Sequence, residues 1–173
     1  MSHQGFTLIE LMITIAIAAI LLTIAIPGMQ NFVNENRMTT LSNELVTDLL
    51  VAKSEAVRRA VPVAICIRNA AGDACNAGGS WANGWIAFTD TDSDGIVDAG
   101  ETVLKVHSPL PTGIVMPAPT FATPSIVTYR PSGSLGSLAF GTFTLCRSGY
   151  FGRNIAVSTT GRTTTTRTAA LCT

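Results

Sequence analysis

The arrangement of apolar positions changes character twice along the chain. From Leu11 to Ile26 every residue is apolar except Thr14 and Thr23. With residues 6–10 the block holds 21 residues before Pro27. At the helical rise this reaches about 31 Å, enough to cross the hydrocarbon core of a bilayer. After Pro27-Gly28 the block gives way to a stripe. Asn34, Met38, Leu41, Leu45, Leu49, Ala52 and Ala56 recur at spacings of three or four, the period of a helix with one buried face. Arg58 and Arg59 suit the negative end of that helix, and Pro62 stops it. The pattern predicts one long helix from Phe6 to about Ala60, kinked or locally opened at Pro27.

From Val61 onward the helical period is lost. Residues 61–68, 84–89, 102–106, 125–130, 138–147 and 154–158 are rich in Val, Ile, Thr and aromatics and read as strands. Ala71-Gly72-Asp73, Asp94-Gly95, Pro131-Ser132-Gly133 and Ser148-Gly149 mark turns between them. The short spacings favour antiparallel hairpins packed on the helix. Thr163–Thr166 is β-prone and polar, and reads as an edge strand or a loose tail. The expected fold class is therefore α+β, a long N-terminal helix packed on an antiparallel sheet head.

Composition sharpens this picture. The chain has 173 residues, of which 13% are charged and 47% apolar. The formal charge is zero, yet every acid lies at or before Glu101, while Lys105, Arg130, Arg147, Arg153, Arg162 and Arg167 follow with no acid among them. A one-signed segment attracts phosphates or an acidic neighbour. The four cysteines, Cys66, Cys75, Cys146 and Cys172, behind an export-type N-terminus point to disulfides and an oxidising compartment. Three connectivities are open to four cysteines. The one expected here is Cys66–Cys75, closing a hairpin, with Cys146–Cys172 tying the C-terminal segment to a core strand.

Glu10 is at odds with a plain membrane anchor, because an ionised carboxylate inside an apolar helix costs about 2.5 kcal/mol or more. An ordinary signal peptide fits no better. Residues 1–5 carry no Lys or Arg, and Met29-Gln30 is not a small-residue cleavage site. Gly5-Phe6-Thr7-Leu8-Ile9-Glu10 resembles the leader junction of type IV pilins. That resemblance implies cleavage after Gly5 by a prepilin peptidase and N-methylation of Phe6. It also implies that Glu10 pairs with the N-terminal amine of a neighbouring subunit on assembly, which offsets the cost of burying the charge. Residues 1–5 would be the leader and 6–27 the transmembrane and assembly half of the helix. Residues 28–173 would form a periplasmic, pilin-like head that includes the amphipathic helix half.

The head narrows the resemblance. Trp81-Ala-Asn-Gly84-Trp85-Ile-Ala-Phe88, the stretch from Asp90 to His107, and Ser158-Thr-Thr-Gly161-Arg162 resemble the GspH/FimT group of minor pilins and pseudopilins. What this implies is a filament subunit at the inner membrane, in a type IV pilus or type II secretion pseudopilus, whose partners are other pilins. Some FimT-type proteins are DNA receptors with a late Gly-Arg-x-Arg motif. Here Gly161-Arg162-Thr163-Thr164 matches the first arginine only, so Arg147, Arg153, Arg162 and Arg167 are the DNA-binding candidates. Arg162 and Arg167 face opposite sides of a regular strand and would converge only across a loop or bulge.

Asp90, Asp92, Asp94, Asp98 and Glu101 fall at positions 1, 3, 5, 9 and 12 of a calcium-loop pattern with Gly95 at position 6. Calcium is the candidate ion, although no pair of amphipathic helices flanks the loop; no cofactor is required. Trp81 and Trp85 read as core filling. His107, the only histidine beyond the leader, reads as structural, and no nucleophile, base and acid set accompanies it. The chain is expected not to be an enzyme.

Overall fold

The computed structural model describes residues 7–136 and 140–172. The chain forms two compact units, one ending at Arg37 and one beginning at Met38. Gly5 and Phe6 lie outside the described residues. A single helix, α1, runs Leu8–Arg59 and contributes to both units. Its assignment is unbroken at Pro27, so the local opening expected there is absent. A proline removes one donor, and the remaining hydrogen bonds of a 52-residue helix carry it past that position.

In the first unit Leu11, Ile15, Ile20 and Leu22 are all exposed. A helix apolar on every side has no face to bury within its own chain. Thr7 precedes the helix, and its Oγ1 accepts the Glu10 amide at 3.3 Å. Thr7-x-x-Glu10 thus has the spacing of a capping box.

The second unit holds the core. Met38, Leu41, Leu45, Leu49, Ala52 and Ala56 of α1 are buried against two four-stranded antiparallel sheets. The first sheet has the order β3-β2-β1-β5, from β1 (Val63–Ile67), β2 (Trp85–Thr89), β3 (Val103–Val106) and β5 (Ile126–Tyr129). The second has the order β4-β6-β7-β8, from β4 (Ile114–Val115), β6 (Gly141–Arg147), β7 (Phe151–Val157) and β8 (Thr163–Leu171).

Three differences from the sequence pattern have local causes. The two-residue β4 lies among prolines, too short to show a period, and exists because Ile114 and Val115 pair with Arg147 and Cys146. β7 starts at Phe151, earlier than expected, because β8 bulges opposite Gly152 and so keeps the glycine-interrupted stretch paired. The Thr run is a strand that extends to Leu171. Part of the strand expected over 138–147 lies outside the described residues.

The two inner strands of sheet one, β1 and β2, are buried on both faces. Val63, Ile65 and Ile67 of β1 and Trp85 and Ala87 of β2 join the core under the helix. Their alternating neighbours Ala64, Cys66, Ile86 and Phe88 form a second cluster roofed by Cys75 and Val97. β1 and β2 therefore read as continuous apolar runs. The Cys66–Cys75 disulfide pins that roof. The Cys146–Cys172 disulfide fastens the end of β8 to β6. Sheet two keeps the ordinary alternation, with Phe143, Leu145, Ile155 and Val157 inward.

The helix end is secured by charge and backbone. Glu55 accepts from Arg58 at 2.5 Å and Arg59 at 2.6 Å, and these guanidinium groups lower its carboxyl to about 2. Ala60 then takes a left-handed φ of 56°, as residues just past a helix end often do.

Candidate functional site

Four features carry chemistry. The first is the amino end of α1. Glu10 is exposed in the first helical turn, among exposed Leu8, Ile9, Leu11 and Met12. Its backbone amide is satisfied by Thr7. The sequence reading missed this capping contact, although the Thr-x-x-Glu spacing announces it.

The second is the acidic loop between β2 and β3. Carboxylate oxygens of Asp90, Asp92 and Asp94 lie within 4.8 Å of one another. Asp98 and Glu101 do not join that group of three. Glu101 Oε1 accepts the Thr91 amide at 2.6 Å and its Oε2 the Asp98 amide at 3.2 Å, so this acid closes the loop on itself. Asp90 is buried and accepts the Gly95 amide at 3.3 Å. Burial raises its carboxyl pKa, and nearby Glu101, Asp94 and Asp92 add to the rise. Asp98 is raised chiefly by the charge of Asp94. Gly95 takes a φ of 78° and Ser93 one of 64°, the turns that fold the acids toward each other. Asp90, Asp92 and Asp94 are the residues that could hold a cation.

The third is a polar seam between α1 and sheet one. The Trp85 Nε1–H donates to Asp48 Oδ2 at 2.9 Å, and the Lys105 ammonium pairs with Asp48 Oδ1. The His107 ring stacks on Trp85 with centroids 3.9 Å apart, and its Nε2 lies 3.3 Å from Glu44 Oε2. Its Nδ1 lies 2.8 Å from the Ser108 carbonyl oxygen. Both ring nitrogens and one face are thus occupied by structural contacts. Trp81 is likewise core: it meets Phe143 edge-on at 4.8 Å, and its indole donates to the Pro124 carbonyl at 2.8 Å. Gly84, between the two tryptophans, has a φ of 90° and lies so close to the His107 carbonyl that a Cβ there would overlap it. The buried Asp48 gave no sequence signal, because an acid beside an apolar stripe reads as solvated.

The fourth is the basic half of sheet two. Arg153 and Arg167 are direct cross-strand partners on β7 and β8. Arg153 donates to Thr39 Oγ1 of α1 at 3.2 Å and to the Gly152 carbonyl at 3.2 Å. Arg167 sits 3.9 Å over the Phe151 ring. Arg147 ends β6 at the same end of the sheet, 5.6 Å from the Tyr150 ring centroid. Arg162 belongs to the β7–β8 turn at the other end. Its carbonyl accepts the Ser158 amide at 2.9 Å, and Gly161 before it takes a φ of 70°. Arg167 lies five residue steps beyond Arg162, about 16 Å along the chain. The bulge of this strand pair lies on β8 beyond Arg167, where residues 168–170 face Gly152, and not between these two arginines, so they do not converge.

A long N-terminal helix, apolar all round and then amphipathic, packed by its second half on an antiparallel head, defines a type IV pilin-like fold. The chain belongs to the family described as type II transport protein GspH, whose model matches residues 41–161; residues 1–26 match the prokaryotic N-terminal methylation motif. Among solved structures it is similar to the type IV minor pilin FimU of Pseudomonas aeruginosa. The TM-score is 0.59 at 20% identity, over 80% of this chain and 98% of that one. It is also similar to the minor pseudopilin EpsH from the type 2 secretion system of Vibrio cholerae, with a TM-score of 0.55 at 11% identity, over 78% and 99% of the two chains. The type IV major alpha-pilin of Moraxella bovis is 50% identical over 44 residues, which span 25% of this chain and 28% of that protein.

Proposed function

We propose that this chain is a minor pilin or pseudopilin that primes or caps a type IV pilus or type II secretion pseudopilus. The observation that carries the reading is Glu10 in the first turn of a helix whose flanking apolar side chains are all exposed. Such a helix needs a bilayer while stored and other apolar helices once assembled, and its carboxylate needs a cation in the second setting. In this reading a prepilin peptidase cuts the Gly5–Phe6 bond, Phe6 is methylated, and the helix anchors the chain in the inner membrane with the head in the periplasm. The role is structural rather than catalytic.

Intact-mass analysis of the membrane form, together with filament incorporation of Glu10→Ala, tests it. The expected mature chain begins at methylated Phe6. The variant is expected to insert normally, because it loses a costly charge, and to incorporate poorly. A start near Met29, or normal incorporation of the variant, would sink the reading.

A second reading, a pilus-borne DNA receptor, draws on Arg153 and Arg167 at cross-strand positions with Arg147 at the same end. Contacts of that kind are to phosphates and weaken with salt. A gel shift at low and physiological salt, with Arg162→Ala and Arg167→Ala combined, decides it. No shift even at low salt leaves the filament role alone.

A further inference from the structure

The segment that follows β3 is fixed to the head by its backbone. The His107 amide donates to the Trp85 carbonyl at 2.8 Å, and the Leu110 amide to the Ala82 carbonyl at 2.8 Å. Two side-chain contacts tie β3 and this segment to α1: Lys105 with Asp48, and His107 with Glu44. An open groove runs between the two sides, lined by Asn43, Glu44 and Thr47 of α1 and by Lys105, His107 and Ser108 across it.

A proton affects the two contacts differently. Asp48 is buried and answered by Trp85 as well as by Lys105, and an ammonium group ordinarily keeps its charge well past neutral pH. An imidazole does not. Each ring nitrogen of His107 faces an acceptor. Nδ1 lies 2.8 Å from the Ser108 carbonyl oxygen, which has no proton to give, and Nε2 lies 3.3 Å from the Glu44 carboxylate. A neutral imidazole has one N–H. It can answer Ser108 or Glu44 but not both, and its bare nitrogen then sets a lone pair against an oxygen. Only the imidazolium satisfies both acceptors. The face of Trp85, 3.9 Å from the ring between centroids and 13° from parallel, suits a cation as well.

The charged groups around the ring are Glu44 and Asp48 from α1 and Lys105 from β3; β2 presents neutral Trp85. Glu44 favours the ring's charge and Lys105 opposes it, while Asp48 is taken up by Lys105 and Trp85. When the ring loses a proton, the shorter contact with Ser108 keeps the remaining hydrogen. Nε2 then faces Glu44 bare. The Glu44 side chain is 46% exposed, so it turns to water at little cost, and buried Asp48 cannot follow.

We propose that His107 is a proton-operated latch between α1 and the segment after β3. It is closed on Glu44 as the imidazolium and open as the neutral ring, and Asp48 holds the head on the helix in both states. Opening leaves an unpaired carboxylate in the groove. The latch acts whether or not the chain enters a filament.

The test uses the full chain in detergent micelles, titrated from about pH 5 to about pH 8. It is followed by tryptophan emission and by the NMR signal of the His107 ring, assigned by its loss in His107→Gln. A protonated imidazole quenches a stacked indole more than a neutral one. Emission is expected to rise with pH in one step, at the midpoint of the ring signal, and His107→Gln should abolish that step. Glu44→Gln should lower both midpoints by about half a pH unit, the scale of a partly exposed ion pair, and Lys105→Met should raise them. A nuclear Overhauser contact between the His107 ring and the Glu44 side chain should be present below the midpoint and lost above it. The proposal is overturned by midpoints that Glu44→Gln leaves in place, by an emission step that survives in His107→Gln, or by a ring contact with Glu44 that persists across the titration.

Discussion

The indole of Trp85 donates a hydrogen bond to the buried carboxylate of Asp48 at 2.9 Å, joining the C-terminal part of α1 to the second strand of the head. Lys105 reaches the other oxygen of the same carboxylate. A carboxylate this deep persists only when both oxygens are answered.

Asp48→Ala should therefore cost more than the packing it removes, since it leaves the Trp85 donor unpaired in the core and Lys105 without its acid. The expected loss is about 2–3 kcal/mol of head stability. Urea denaturation of the full chain in micelles, read by tryptophan fluorescence, measures it. Lys105 is 42% exposed, so Lys105→Met should cost less than half as much.

The two disulfides close loops of 9 and 26 residues of sequence separation. Each should contribute about 3 kcal/mol in the chain-entropy model. Their losses should differ in kind. Cys66→Ser with Cys75→Ser exposes the roofed cluster of Ile86 and Phe88 and should increase binding of a hydrophobic dye. Cys146→Ser with Cys172→Ser should instead speed hydrogen exchange at the end of β8.

Calcium should raise the melting temperature by about 5 °C at concentrations well above its dissociation constant, through linkage to the folded loop. Asp90→Ala should abolish the shift. Glu101→Gln should retain part of it, because Glu101 closes the loop through Thr91 and Asp98 and stands outside the group of three acids. Calorimetric scans with and without millimolar calcium read the outcome, and no shift would return the loop to an acidic turn.

The two acidic regions should respond to acid in opposite senses. Glu55, held to about 2 by Arg58 and Arg59, contributes stability above the ordinary glutamate value that is lost as pH falls toward about 2. Asp90, raised by burial, and Asp98, raised by Asp94, contribute in acid, and that contribution is lost as pH rises through their elevated values. Carboxyl NMR titration should place the Glu55 midpoint near 2 and those of both aspartates above the ordinary aspartate range. Calcium should pull the Asp90 midpoint down.

The sequence by itself determined what depends on local pattern. The unbroken apolar block, the Met38–Ala56 stripe and the Gly5–Glu10 junction specified the helix, its buried face and its pilin-like start, because a helix writes its environment at a fixed period. The strands beyond Val61 were legible as strands, and the cysteine order suggested their fastening. Tertiary structure alone decided the partners across the fold. Asp48 is buried because Trp85 and Lys105 meet it from other elements. Arg162 and Arg167 stay apart because the bulge of β8 falls beyond Arg167 and not between them, and Glu101 leaves the other acids because Thr91 and Asp98 offer it amides. Which amides, strands and cations come within reach of a side chain is a matter of register and chain return, and periodicity carries no record of either.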